Sequence, residues 1–469
     1  MDDLSNWVIE ETKTADFGDK RLNKRYGNIL TRLCGAPDKS IPASCKGWNE
    51  TLAAYRFFNH QNVTAEQILS PHMDATLERI KVEKIVLIPQ DTTEIDFTGR
   101  KSLSGIGYLT QESGQGFYLH PSIAVTPERC CLGVVDMQSW IRPEIGKREN
   151  RKNKPIEEKE TYCWLKGYQE ANKIALAAPD TVIVSISDRE GDIYEVLERL
   201  PSEENKAYWL IRCNHDRSIL NETTQKFELK LRETVSQSSP IGQLEFEMPA
   251  GTSYRNCKKR NTRTERTVKQ EIRACSVFLR PPMRKEKKLE SIEIHVVHCK
   301  EIDTPQGEEC IEWFLITSYP VTSSEVAMEI VNWYLCRWLI ETFIKILKSG
   351  CQVEELQFET FKATINCIAF YMIVAWRVFY LTMLGRECPD IECSAVFEES
   401  EWQSIYVMSY KKKPPEEPPK LYEMIIMIAK LGGFLGRKSD GYPGTKVMWL
   451  GMQRMKDFTL AWETFHSLE

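Results

Sequence analysis

The sequence predicts an α/β protein: a core of strands and helices that carries a β-rich insertion, with a helical unit at each end. Three observations lead there. Two apolar runs, KIVLIPQ and TVIVSIS, have the length and β-branched content of buried strands, and each runs into an aspartate, Asp91 and Asp188. Between about 214 and 322, charged loops separate alternating segments such as QLEFEMPAG, SIEIHVVHC and CIEWFLITS, the period-two pattern of half-buried strands. Both ends of the chain show helical spacing instead.

Taken in order, FGDKRLNKRYGNILTRL and WNETLAAYRFFNH give short helices with basic residues Lys20, Arg21, Lys24, Arg25 and Arg56. KIVLIPQDTTEIDF (84–97) is a strand that ends at Pro89-Gln90-Asp91. GFYLHPSIAVT and CCLGVVDMQSW form a strand pair around a turn at 127–129, and 154–178 is a helix. The strand 181–187 meets Asp188, IYEVLERL is a helix, and AYWLIRC (207–213) is a further strand. Helix resumes near 323, and PPEEPP (414–419) is a stiff connection before a last helical unit. The divisions expected are 1–70, 71–365 with its insertion, and 366–469.

At 469 residues the chain has the length of two or three domains, and its 42% hydrophobic and 28% charged content is that of a globular protein. The net charge of −5 does not suggest a nucleic-acid partner, but it averages over clusters. Lys258 to Lys288 holds twelve Lys or Arg against three Glu, and GKRENRKNK (146–154) and KKK (411–413) are also basic. Such runs serve either a polyanion or simply solvent. The fifteen cysteines are scattered, often in apolar runs, with no CxxC pair, which reads as reduced intracellular thiol. The N-terminus lacks signal-peptide architecture. CIAFYMIVAWRVFYLTML (367–384) is long enough to span a membrane, but Arg377 near its middle favours a core helix.

The stretch WYLCRWLIETFIKILKSG (333–350) reads as one buried helix with a single polar row: Tyr334, Arg337, Glu341, Lys345 and Lys348. At 100° per residue the five fall within roughly 80° of one another. A salt-bridged exposed face is the plain alternative, but it would give a polar half-helix. A narrow row fits a helix edge that lines a cleft. Glu341 with Asp91 and Asp188 makes three hard oxygen ligands, suited to Mg²⁺ or Mn²⁺. Two such ions about 4 Å apart suit in-line displacement at a phosphodiester. Arg337, Lys345 and Lys348 are phosphate-binding types, and Tyr334 can hydrogen-bond or stack.

That row, with its Y-R-E-K spacing, resembles the signature of DDE transposases of the insertion-sequence-four family. QDTT (90–93), SDREGDI (187–193), WLIR (209–212), WFLITSYPV (313–321) and AKLGGFLGRK (429–438) are similar, in order, to segments of that family. The resemblance spans nearly the whole chain, and the row together with DREGDI is its specific part. It implies an RNase H-like core with the β-rich insertion between the second aspartate and the glutamate. It implies Asp91, Asp188 and Glu341 as the metal-binding, catalytic triad, and Arg212, Tyr334, Arg337 and Lys348 on the 5′ phosphate of the non-transferred strand. Trp313 takes the place of a tryptophan that stacks on a flipped base, a role an indole beside an apolar strand can fill. The N-terminal helices would read the terminal inverted repeat of double-stranded DNA. The C-terminal helices would pair two subunits, so that each cuts the end held mainly by the other. Nicking, hairpin formation, hairpin opening and joining to target DNA follow, in a bacterial cytoplasm and with no membrane.

Two positions depart from the family: Gln90 stands where glutamate is expected, and Gly191 replaces another small residue. Neither removes a ligand. The seven histidines lie outside these motifs, which leaves a histidine nuclease or a Ser/His/Asp hydrolase without support. A catalytically silent DNA binder commonly lacks a triad carboxylate, and all three are here. A nuclease of RNA–DNA hybrids has no use for the cationic row or the two helical units.

Overall fold

The structure is a computed structural model that describes residues 4–468 apart from 46, 101, 111–112, 143–153, 249–250, 256–257, 264, 284–288 and 438–439. Contacts divide the chain into two units that are discontinuous in sequence. One comprises 1–86, 91–151 and 338–469; the other comprises 87–90 and 152–337.

The first unit begins with five helices: α1 (Asn6–Thr12), α2 (Lys20–Gly35), α3 (Ile41–Ser44), α4 (Trp48–Phe58) and α5 (Ala65–Ile80). Asp19 caps α2 by accepting from the Arg21 amide, and Thr64 with Gln67 forms a capping box on α5. Strand β1 (Ile85–Pro89) crosses from the first unit into the second. Then come β2 (Thr93–Asp96), β3 (Gly107–Tyr108), β4 (Gln115–Val125) and β5 (Cys131–Trp140), with β2, β3 and β5 all antiparallel to β4.

The second unit holds α6 (Tyr162–Ala177), β6 (Val182–Ser187), α7 (Tyr194–Leu197) and β7 (Tyr208–Arg212). It continues through β8 (Ser218–Asn221), β9 (Lys226–Lys230), α8 (Leu231–Gln237) and β10 (Gly242–Met248). The hairpin β11 (Gly251–Arg255) and β12 (Lys258–Arg263) follows, then the long β13 (Arg266–Leu279), β14 (Ile292–Ile302), β15 (Glu312–Thr317) and α9 (Ser324–Leu335). Strands β6 and β7 are parallel; the rest of this mixed sheet runs antiparallel in the order β7-β15-β14-β13-β8-β9, with β10 also on β13. The insertion is thus β-rich as its alternation predicts. Part of its basic run is spent within the fold. Arg266 pairs with Glu301 at 2.9 Å and Glu308 at 3.0 Å, Lys269 with Glu245 at 3.0 Å, and Arg273 with Glu271. Most of the patch at 146–154 lies outside the described residues, and Lys411 to Lys413 are exposed.

The first unit resumes with α10 (Trp338–Lys345), α11 (Phe361–Glu387), α12 (Glu399–Tyr410), α13 (Leu421–Leu431) and α14 (Thr445–His466). Helix α11 is long and apolar enough to cross a membrane, but 89% of its most apolar window is buried in the protein, so it is a core helix. Phe370 packs on Tyr26, Phe57 and Phe58. Asn366 donates to the Phe58 and Val63 carbonyls, fixing the N-terminal helices to α11. Arg377, buried, bonds the Val396 carbonyl at 2.9 Å and lies over the Trp7 ring.

A second anchor ties α1 and α5 to β5 and α11. Glu11, buried, accepts from His72 Nδ1 at 2.5 Å and from Arg79 at 2.6 Å. Arg79 also bonds the Leu132 carbonyl and lies 4.5 Å from the Trp376 ring centre. The Val134 amide donates to His72 Nε2 at 3.0 Å, so the ring carries its proton on Nδ1. Among the described residues, no cysteine is in a disulfide.

Candidate active site

In the second unit, strand β6 delivers Asp188. Its Oδ1 accepts from the Glu190 amide at 2.8 Å and caps a 3₁₀ turn over Arg189–Gly191, which fixes the carboxylate at the strand end. Gly191 packs against that end: a Cβ there would lie 2.1 Å from Ser187 Oγ and 2.6 Å from Ser187 Cβ. The departure noted in the sequence is therefore matched to a local lack of room. Asp192, buried, accepts from the Asn214 and His215 amides and pairs with Arg217, pinning the chain beyond β7 to the same turn.

Because β6 and β7 are parallel with Ser187 opposite Ile211, the next residues of the two strands, Asp188 and Arg212, are neighbours. Burial and the nearby Arg189 and Arg337 cations lower the Arg212 pKa. Tyr334 is buried near the end of α9. Burial raises its phenol pKa, against the pull of Arg337 and Arg212. Arg337 is buried, and its amide bonds the Tyr334 carbonyl at 3.0 Å. Trp313 on β15 is 9% exposed, with its ring 6.1 Å from Tyr334 and 6.1 Å from Phe246, nearly parallel to the latter. The carboxylates of Asp188 and Glu190, the cations of Arg189, Arg212 and Arg337, the Tyr334 phenol and, beside it, the Trp313 indole thus lie near one another. Arg212 and Arg337 are at least partly buried, and cations so placed suit an anion such as phosphate.

The other expected residues belong to the first unit. Asp91 follows β1; its Oδ1 accepts from the Thr92 amide at 2.8 Å and its own amide donates to the Pro121 carbonyl of β4. Thr92 Oγ1 lies 2.8 Å from Nδ1 of buried His120, whose pKa burial pushes down to about 3, so the ring is neutral. The sequence motifs contain no histidine, and β4 brings this one to QDTT from 28 residues away. Gln90, the residue after β1, belongs to the second unit and donates to Ser185 Oγ at 3.0 Å.

The stretch 333–350 is not one helix. It breaks between α9 and α10, where the Cys336 and Arg337 amides turn back to the carbonyls three residues before them. After α10 the chain widens into a π-helix over Ile346–Gly350. The polar row is divided accordingly: Tyr334 and Arg337 fall in the second unit, and Glu341, Lys345 and Lys348 in the first. Nor is every other face apolar and buried, for Trp338 is 48% exposed. Glu341 and Lys345 are exposed. Lys348 Nζ donates to the Glu94 carbonyl and pairs with Glu354, each at 2.9 Å. Among the described residues, neither unit by itself gathers three His, Cys, Asp or Glu side chains into a group that could hold a metal.

Three family models match in chain order. Residues 4–63 match a transposase DNA-binding model, 188–376 a transposase DDE domain, and 373–464 the Tn5 transposase dimerisation domain. The chain is a Tn5-like DDE transposase. The DDE match opens on Asp188 and takes in Arg212, Trp313, Tyr334, Arg337, Glu341, Lys345 and Lys348. Asp91 lies in the stretch between the first two matches. The transposase is thus an enzyme that acts on DNA, with a DNA-binding unit built on α1–α4 and a dimerisation unit that runs from α11 to α14. Among solved structures it is similar to piggyBac transposase, from a cryo-EM synaptic complex with hairpin DNA. The likeness is 9% identical with a TM-score of 0.36, over 82% of this chain and 72% of that one.

In the N-terminal unit, Arg21, Lys24 and Arg25 of α2 line a cavity of 360 Å³ together with Asn28, Asn49 and Arg32, the last paired with Glu50 at 3.0 Å. Of the basic residues noted in these helical segments, Arg21, Lys24 and Arg25 line the cavity, and Lys20 and Arg56 do not.

Proposed function

We propose that this transposase cuts and rejoins double-stranded DNA at transposon ends, using two Mg²⁺ or Mn²⁺ ions held by Asp91, Asp188 and Glu341. The carrying observation is the pair of parallel strands β6 and β7, which set Asp188 beside Arg212 with Tyr334 and Arg337 against them. The donor set suits the ions: three carboxylates are hard oxygen ligands, and the backbone amide on Oδ1 of Asp91 and of Asp188 holds each side chain in one orientation. Such ions, when bound, make water or a 3′-OH more nucleophilic and offset charge at phosphorus.

The chain's own residues hold the DNA. Arg212 and Arg337 take phosphate oxygens, Tyr334 donates its phenol proton to another, and Lys345 and Lys348 extend the grip. Trp313, edged by Tyr334 and Phe246, takes an unstacked base when the end folds into a hairpin. The order of events is a nick at the transposon end, attack by the freed 3′-OH to give the hairpin, its opening, and joining of the 3′-OH to target DNA. The N-terminal unit reads the terminal repeat, and a dimer brings two ends together in the cytoplasm.

The test is cleavage of a duplex that ends in the element's own inverted repeat, with Mg²⁺, Mn²⁺ or EDTA. Metal-dependent nicking, lost in Asp91→Asn, Asp188→Asn and Glu341→Gln while end binding persists, is the expected result. Robust cutting by any one of the three variants removes that residue from the triad. Binding without a nick in either metal would leave a DNA-binding protein in place of the enzyme.

A further inference from the structure

The segment 346–355 concentrates unusual backbone. The π-helix of Ile346–Gly350 is followed by Gln352 in the left-handed region at φ 50°, and then by a 3₁₀ turn over Val353–Glu355. Wide turns and left-handed non-glycine residues are costly and persist where the surroundings fix them. Here the surroundings do so through Arg100, which bonds Glu355 at 2.7 Å and the Glu354 carbonyl at 3.5 Å.

What this backbone achieves is the placement of one carboxylate. Glu354 Oε1 accepts from the Asp96 amide of β2 at 3.0 Å and from Lys348 Nζ at 2.9 Å. Lys348 Nζ also donates to the Glu94 carbonyl of β2 at 2.9 Å. A lysine ammonium has three donors on a flexible stem of four carbons. Two of the three are thus held against β2, and the direction of the third is set. Both side chains keep about a quarter of their surface exposed, at 28% and 27%, so the ammonium stays within reach of a ligand.

We infer that Glu354 is a positioning residue for DNA cutting: its carboxylate, fixed to β2, holds Lys348 in the orientation that receives a DNA phosphate. The inference rests on the phosphate-holding role proposed above for Lys348. Orientation and charge make opposite demands here, which gives the idea a distinct signature. Removing Glu354 deletes a negative charge near the DNA, so affinity is maintained. It also frees the lysine stem, so the rate of the cut falls. An ammonium displaced by about 1 Å from its working position can cost well over tenfold in rate.

The experiment uses the full chain and a duplex that carries the element's own terminal repeat. It measures single-turnover nicking, end affinity as a function of salt, and thermal unfolding. For Glu354→Ala we expect nicking slowed by about tenfold or more with end affinity unchanged within about threefold. Glu354→Gln, which keeps an acceptor for both the Asp96 amide and Lys348, restores most of that rate. Lys348→Met weakens end binding and lowers the salt slope by about one phosphate contact. Adding Glu354→Ala to Lys348→Met costs nothing further, since the two act as one unit.

Faster nicking and tighter binding by Glu354→Ala would overturn the inference, because the carboxylate would then be a competitor of phosphate. A further loss in the double variant would overturn it as well. Normal nicking by Glu354→Ala alongside a defective Lys348→Met would overturn the inference and leave the role of Lys348 standing. Normal binding and cutting by Lys348→Met would remove both.

Discussion

Replacing Glu11 by alanine tests how the N-terminal unit is held. The Glu11 side chain is 3% exposed and serves two partners. One is His72, fully buried, whose Nε2 already accepts from the Val134 amide, so its Nδ1–H has Glu11 as acceptor. The other is Arg79, one quarter exposed and still bonded to the Leu132 carbonyl after the change. The loss therefore leaves a buried N–H without its acceptor, at about 1–3 kcal/mol, and a partly buried guanidinium without its counter-charge. Breaking a buried pair from one side costs about 3–5 kcal/mol, and we expect Glu11→Ala near the lower figure because Arg79 retains solvent and a carbonyl.

Urea unfolding followed by tryptophan fluorescence reads this directly. The pH dependence supplies a second reading. Burial acts to raise the Glu11 pKa, but His72 and Arg79 outweigh it and hold the carboxyl below its ordinary 4.5. A lowered carboxyl contributes stability that is present above about pH 4.5 and lost as pH falls through the folded value. Burial lowers the His72 pKa below its ordinary 6.5, which destabilises the fold in the same direction as pH falls. Glu11→Gln, which keeps an acceptor but no titrating group, should cost less at pH 7 and show a shallower acid limb below about pH 4.5. A cost under about 1 kcal/mol for Glu11→Ala, or an unchanged acid limb in Glu11→Gln, would refute the reasoning.

Two further outcomes follow from packing and stacking. A Cβ on Gly451 would stand 1.9 Å from the Ile428 carbonyl oxygen, a backbone atom that cannot swing away, so Gly451→Ala must part α14 from α13. We expect a loss of about 3 kcal/mol in stability and weaker self-association by analytical ultracentrifugation; full retention of both would be contrary to the close approach. Trp313→Ala should impair hairpin formation more than the first nick on end-bearing duplex, and Trp313→Phe should recover part of it through stacking. Equal losses at both steps would reduce Trp313 to a packing residue against Phe246 and Tyr334.

Local pattern carried much of this far. Apolar runs that end in Asp91 and Asp188 become β1 and β6, and WLIR becomes β7, because a short β-branched run has few other stable forms. The alternating segments QLEFEMPAG, SIEIHVVHC and CIEWFLITS become β10, β14 and β15, the last two paired antiparallel. Arg377 in the middle of an apolar helix already argued for a core, and its partners are the Val396 carbonyl and Trp7. What local pattern missed is set by contacts between distant residues. Glu11 meets His72 across 61 positions, and His120 reaches Thr92 across 28. No alternation or spacing encodes either, because a single histidine on a strand looks the same whether or not a threonine waits opposite.

The break in the row Tyr334 to Lys348 is the most instructive miss. A helical wheel assumes a constant 100° per residue, and that assumption put all five side chains on one edge. Neither glycine nor proline marks the turn at Cys336 and Arg337, and the π-helix at 346–350 has no sequence signal of its own. Yet the break does not scatter the chemistry. Tyr334 and Arg337 close on Arg212 and Asp188, while Lys348 is drawn to β2 by Glu354 and the Glu94 carbonyl. The spacing in the sequence therefore records two separate attachments, one on each side of the Arg337–Trp338 boundary, where a single helix edge was expected. A reader of the row alone expects one helix edge, and the backbone divides it. The interval is kept by what each end must grip, and a straight helix would satisfy only the wheel.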